Sequence, residues 1–131
     1  NIIQNIDVVS WFNEVNSISS LGIIIPFLIA ATLKTAQGSS TVAIITTASI
    51  VAPMLAVFGL ENEMGKVATI LAIGVGSMTT SHANDSYFWI VSQMGGLDVK
   101  TAYKTHTVAT LVQGLVGVLL LITIYNLIMI F

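Results

Sequence analysis

Apolar residues run almost unbroken over 21–33 and again over 42–58, and the stretch between them, KTAQGSST (34–41), is polar. At about 1.5 Å per residue, each run is close to long enough to cross much of a hydrocarbon core. A third run, 67–75, leads into a second polar stretch, GSMTTSHANDS (76–86), beyond which 87–94 is apolar again. The last run, 107–131, is the longest. Helices are expected throughout. The residues at 17–20 cap a helix over about 21–36, which Pro26 is expected to kink, and Pro53 interrupts the second run. Ala48, Ala52 and Ala56 recur every fourth residue, a stripe small enough for close helix packing, and Gly114 and Gly117 serve the same end in the last run. At the start of the chain, Ile2, Ile3, Ile6, Val9, Trp11, Phe12 and Val15 follow helical spacing. Residues 1–20 therefore read as an interfacial helix or the tail of a preceding span.

Composition turns this pattern into a class. The chain has 131 residues, 55% of them hydrophobic and 8% charged, with a mean hydropathy of +0.93. So little polar surface cannot cover a soluble fold, and an integral, all-α membrane protein is expected. The absence of cysteine excludes disulfides, thiolate metal sites and cysteine nucleophiles. A net charge of −2 gives no reason to expect a nucleic-acid partner. Opening on Asn1 without a signal-peptide pattern, the chain reads as a segment of something longer.

Charge sets the topology. Lys100 and Lys104 put the loop at 95–106 in the cytoplasm, while Glu61 and Glu63 beside Lys66 make 59–66 the external loop. The segment 67–94 is then one long crossing broken in its middle, and 107–131 is the final span. Residues 21–58 are either two full spans or a hairpin that enters and leaves from the external face, with its tip at 37–41 near mid-membrane.

Both polar breaks are candidates for a binding site, because non-helical backbone at membrane depth is tolerated only where protein buries it or a watery cavity meets it. In the first, Gly38 frees the backbone and Gln37, Ser39, Ser40 and Thr41 supply short polar groups; an ordinary turn in water is the plain alternative. In the second, His82 and Asp85 form a titratable pair inside a membrane segment, which marks a proton, ion or substrate pathway. The competing reading has Asp85 capping the helix that begins at Ser86 and His82 satisfying a loop carbonyl. Asn84 and Ser86 add uncharged donors and acceptors. Two helix N-termini, near Ser39 and near Ser86, offer amides and partial positive charge to a small carboxylate. Two roles stay open for Lys34, attracting an anion or snorkelling to water. His106 is expected to be solvated or interfacial. No enzyme signature or metal-ligand set occurs, and no cofactor is expected.

Three stretches together, TAQGSSTVAIITTASIVAP (35–53), SHANDSYFW (81–89) and the DVKTAYKT loop before the last span, resemble the C-terminal part of the gluconate permease (GntP-type) family. The resemblance implies a proton-coupled importer of gluconate, a related sugar acid or D-serine in a bacterial inner membrane. It also implies the C-terminal half of an inverted-repeat transporter, with a re-entrant helical hairpin and a discontinuous transmembrane helix. The missing N-terminal repeat and a homodimer of the full-length transporter would be its partners. Gln37, Gly38, Ser39, Ser40, Thr41, Asn84 and Ser86 are then the substrate-binding candidates, and Asp85 with His82 the proton-coupling ones. Two positions depart from the family pattern: Lys34 stands where an arginine is expected and Tyr87 where a glycine is common. A cation/proton antiporter of similar build and a non-transporting membrane assembly protein are the alternatives.

Overall fold

The computed structural model describes residues 19–130, with side chains from Gly22 onward, so the helix expected over 1–20 lies almost wholly outside the described residues. What is described is all-helical, without a strand. Helix α1 spans Ser19–Gln37 and α2 spans Ser40–Val51, passing into a 3₁₀ turn at Ala52–Met54. Helix α3 spans Glu63–Ser77 and α4 spans Ser86–Met94. A final helix, α5, runs over Val99–Ile130 and contains a π-helical turn at Tyr103–Thr107.

Helix α3 is the hub, packing against α1, α2 and α5, whereas α4 rests on the first turns of α5. The sequence explains the order. Ala68, Ala72 and Gly76 give α3 a smooth inward face, against which Ile23, Phe27 and Ala30 of α1 pack. Helix α5 turns Thr110, Gly114, Val118, Leu121 and Tyr125 inward at spacings of three and four. A Cβ on Gly114 would run into the Thr79 side chain, and one on Gly117 would lie 2.7 Å from Val75 Cγ1. Both glycines thus serve the close approach expected of them. Outward, Ile70, Leu119, Leu120, Ile124 and Leu127 are all more than half exposed, and α5, with a mean hydropathy of 2.2 over an 18-residue stretch, is long and apolar enough to cross a membrane.

The alanine stripe of α2 lies one position round the helix from the row buried among the described residues, Ala43, Thr47 and Val51, and Ala48 and Ala52 line a groove beside Thr69 and Ile73 of α3. The α-helix ends at Val51 and Pro53 lies in the 3₁₀ turn that follows, the interruption expected there. One expectation is corrected. The polar stretch 95–106 is mostly helical: Asp98 caps α5 by accepting from the Thr101 amide at 2.7 Å, so Lys100 and Lys104 ride on its first turns. At the other loop, Lys66 hydrogen-bonds Glu63 at 2.9 Å and holds that exposed carboxyl below its usual range.

Candidate functional site

Helical periodicity carries a charge into the interior. The buried face of α1 reads Ile23, Phe27, Ala30 and then Lys34, which is only 3% exposed. An ammonium in that position requires an anionic partner, since desolvation alone would cost several kcal/mol. Its Nζ lies 2.5 Å from Asp85 Oδ2.

Asp85 comes from the second break. Residues 78–85 leave the helical path between α3 and α4, with Thr80 in the left-handed region at φ 54°. The Met78, Thr79 and Asp85 amides bond to local carbonyls, while the Ser81 and Ala83 backbone is met by side chains of other helices. The Ser81 amide donates to Thr110 Oγ1 at 3.0 Å and its carbonyl accepts from Thr107 Oγ1 at 2.7 Å. The Ala83 amide donates to the Tyr103 hydroxyl and its carbonyl accepts from Trp89 Nε1. A break satisfied in this way can persist away from water. Asp85 itself ends it as the N-cap of α4, with Oδ1 accepting from the Tyr87 amide at 3.1 Å, while Oδ2 also accepts from Ser81 Oγ at 2.6 Å. Capping and ion pairing are therefore simultaneous, one oxygen to each.

The two breaks meet. His82 Nε2 donates to the Thr35 carbonyl at 3.0 Å, and the Asn84 side-chain amide donates to the carbonyls of Thr35 and Ala36. These are the carbonyls left without helical partners at the end of α1. Gly38, at φ 69°, turns the chain there with its α-carbon against the Asn84 carbonyl, where no side chain would fit. Ser39 then caps α2 by accepting from the Val42 amide.

A cavity of about 590 Å³ opens beside this junction, lined by Lys34, Ser40, Ser81, Asp85, Tyr87, His106, Thr110 and Gln113 among others. Its size falls within the range of small-molecule sites, roughly 300–1,000 Å³. Of the substrate-binding candidates read from the sequence, Ser40 lines it. Gly38, Ser39 and Asn84 instead build the junction, and Gln37, Thr41 and Ser86 are exposed outside the cavity wall. Of the proton-coupling candidates, Asp85 lines it, whereas His82 is engaged with α1.

Ser81, Thr107, Thr110 and Gln113 were missed, although a polar row at 107, 110 and 113 through an otherwise apolar span is a readable signal. His106 is not a solvated loop residue. The early start of α5 brings its half-buried ring to the cavity, edge-on to Tyr87 at 5.3 Å between centroids. Its Nε2 is closed off from solvent with no hydrogen-bond partner among the described residues.

Comparison with known proteins gives a consistent match. The family model described as GntP family permease matches residues 6–128. The high-affinity gluconate transporter of Escherichia coli is 38% identical over 117 residues, which is 87% of this chain and 25% of that protein. The inner membrane permease YgbN of the same organism is 44% identical over 94 residues, 72% of this chain and 20% of that protein. The Gnt-II system L-idonate transporter, also from E. coli, is 42% identical over 94 residues, 70% of this chain and 20% of that protein. The chain thus spans about a fifth to a quarter of the length of these curated relatives. No solved structure matches.

Proposed function

We propose, on the premise that this chain belongs to the GntP family of permeases, that it forms one site-bearing part of a secondary transporter moving a small organic acid together with protons. In this reading residues 21–58 are a re-entrant hairpin, 67–94 a discontinuous helix and 107–131 the last span of a C-terminal repeat. The rest of the permease supplies the opposing repeat and a dimer contact, in a bacterial inner membrane. Gluconate and related sugar acids come first as substrates because relatives are named for gluconate and L-idonate transport; D-serine and other small carboxylates have the same recognition chemistry. The family is one of permeases, and no reaction chemistry is assigned to the chain.

One observation carries the reading: a buried ammonium and carboxylate sit at the wall of a cavity where two interrupted helical segments meet. Ionisable groups kept in a membrane segment mark a transport pathway, and broken helices at a cavity are where carriers bind their cargo. In this assignment Asp85 takes the proton, with His82 bracing the junction beside it. Ser40 contacts substrate directly, while Gln37, Gly38, Ser39, Thr41, Asn84 and Ser86 shape the two helix ends around it. The antiporter reading is less favoured, because the carboxylate that would bind a cation is already paired with a lysine.

The test is uptake of labelled gluconate by cells making the complete protein, with L-idonate and D-serine as competitors, with and without a proton gradient. Gradient-dependent uptake of one of these acids supports the reading. Sodium- or proton-coupled ion flux with no acid entering sinks it.

A further inference from the structure

Resting on that reading, we propose that Lys34 is the ligand for the substrate's carboxylate, and that Asp85 holds its place in the unloaded site until a proton releases it. The cargo class is a small organic anion that presents one carboxylate to Lys34, and the coupling is one proton per carboxylate bound at this point.

The contacts of Asp85 divide in a way that makes such an exchange selective. Oδ1 accepts from the Tyr87 amide, and Oδ2 faces both Ser81 Oγ and Lys34 Nζ. A proton on Oδ2 leaves the Tyr87 cap intact, since Oδ1 still accepts. The Ser81 contact also survives, because a hydroxyl donates or accepts equally well and can reverse its direction. Only the contact with Lys34 is weakened, as a neutral acid can still accept from the ammonium but no longer offers it a charge. Protonation therefore loosens the pair without unfolding the break.

The cavity supplies the incoming group. Lys34 and Asp85 both line it, so an anion that enters meets the ammonium and the carboxylate at the same wall. In the unloaded state one ammonium faces one carboxylate. In the loaded state the same ammonium faces the substrate's carboxylate, and Asp85 carries the proton on Oδ2. The new covalent bond is that O–H bond, the proton comes from solvent, and the net charge of the site is unchanged. The half-loaded states are unfavourable: anion without proton sets two carboxylates on one ammonium, and proton without anion leaves a buried lysine unpaired. Linkage then requires each ligand to raise the affinity for the other by the same factor. Among the described residues, the other titratable groups lining the cavity are Tyr87 on α4 and His106 from the π-helical turn of α5, while His82, next but two to Asp85 in the chain, commits its Nε2 to Thr35. None of them is a carboxyl group, so among the described residues Asp85 is the acidic partner of the lysine.

The experiment uses the complete protein, purified, with labelled gluconate as the probe. In the wild type, binding measured in weakly buffered solution is expected to take up one proton per gluconate at a pH where the unloaded pair is ionised. Asp85→Asn, which imitates the protonated acid, is expected to bind gluconate with an affinity that no longer changes between about pH 6 and pH 8 and to lose gradient-driven accumulation in vesicles. Lys34→Gln is expected to weaken binding at least about tenfold at every pH, the loss of a charge-assisted contact. Gluconate binding by the wild type without proton uptake overturns the exchange, and needs no variant to fold. So does an Asp85→Asn protein that keeps its pH dependence, or a Lys34→Gln protein with wild-type affinity. Failure of the wild type to bind or carry gluconate, L-idonate or D-serine overturns the organic-acid reading instead, and the exchange falls with it.

Discussion

The side-chain amide of Asn84 donates to the Thr35 carbonyl at 2.9 Å, so the second helix break holds the end of the first helix. The acceptors are carbonyls that α1 leaves open at its C-terminus, and the bond ties residues 49 apart in the chain. Asn84→Ala removes the donor, at about 0.5–1.5 kcal/mol for an exposed hydrogen bond. Asn84→Asp removes the donor and aims a carboxylate at two carbonyl oxygens, so it is expected to cost more. Thermal unfolding of the complete protein in detergent checks the order; equal losses would mean that the amide bonds contribute nothing beyond packing.

Gly38 and Gly59 allow the contact at this junction to be separated from backbone strain. Both lie in the left-handed region, at φ 69° and 67°. A Cβ at Gly59 meets nothing within 4 Å, whereas one at Gly38 strikes the Asn84 carbonyl. Alanine at either position carries a conformational cost of roughly 1–2 kcal/mol. Gly38→Ala is expected to exceed Gly59→Ala because the two breaks must also separate, and to lower transport where Gly59→Ala does not. Paired melting and uptake measurements on the two variants read the difference.

The helices and the positions of the two breaks were legible because hydrophobic runs and clusters of Gly, Ser and Thr are local signals. What joined them was not. Lys34 looked ambiguous as a lone charge, although the row Ile23, Phe27, Ala30, Lys34 already put it on the inward face of α1. Its partner lies 51 residues away, and no local pattern reports that distance. The place of His106 at the cavity was not legible for a related reason: Lys100 and Lys104 suggested a loop, but charges on the first turns of a helix leave its inward face free to bury Ala102 and bring His106 to the cavity.

Thr107 and Thr110 hold the two sides of the Ser81 peptide, and valine at each removes the hydroxyl at nearly constant volume. Thr110→Val strands the buried Ser81 amide, at about 1–3 kcal/mol for an unsatisfied donor. Thr107→Val deprives a carbonyl, which tolerates loss of one partner better than an amide does. Thr110→Val is therefore expected to be the more damaging in stability, and also in uptake, since Ser81 Oγ positions Asp85. The reverse order, in melts and initial uptake rates, would show that the break is not held through Ser81.

Lys34 and Asp85 should be far more expensive to separate than to remove together. Among the described residues, Lys34→Met leaves a buried carboxylate with Ser81 and Tyr87 to stabilise it, and Asp85→Leu leaves a buried ammonium without its anionic partner. Either single change is expected to cost about 3–5 kcal/mol, while the double replacement fills the same space with apolar groups and recovers most of that loss. Both partners are nearly sealed, with side chains 3% and 7% exposed, so solvent screening does little to soften the single variants. Stability and function then part company. The double variant is expected to melt near the wild type yet carry no organic acid, because it has neither the cation that receives a carboxylate nor the group that takes the proton. Single variants that melt like the wild type would mean that water reaches the pair in the complete protein, and a double variant that still accumulates gluconate would remove both residues from the transport site.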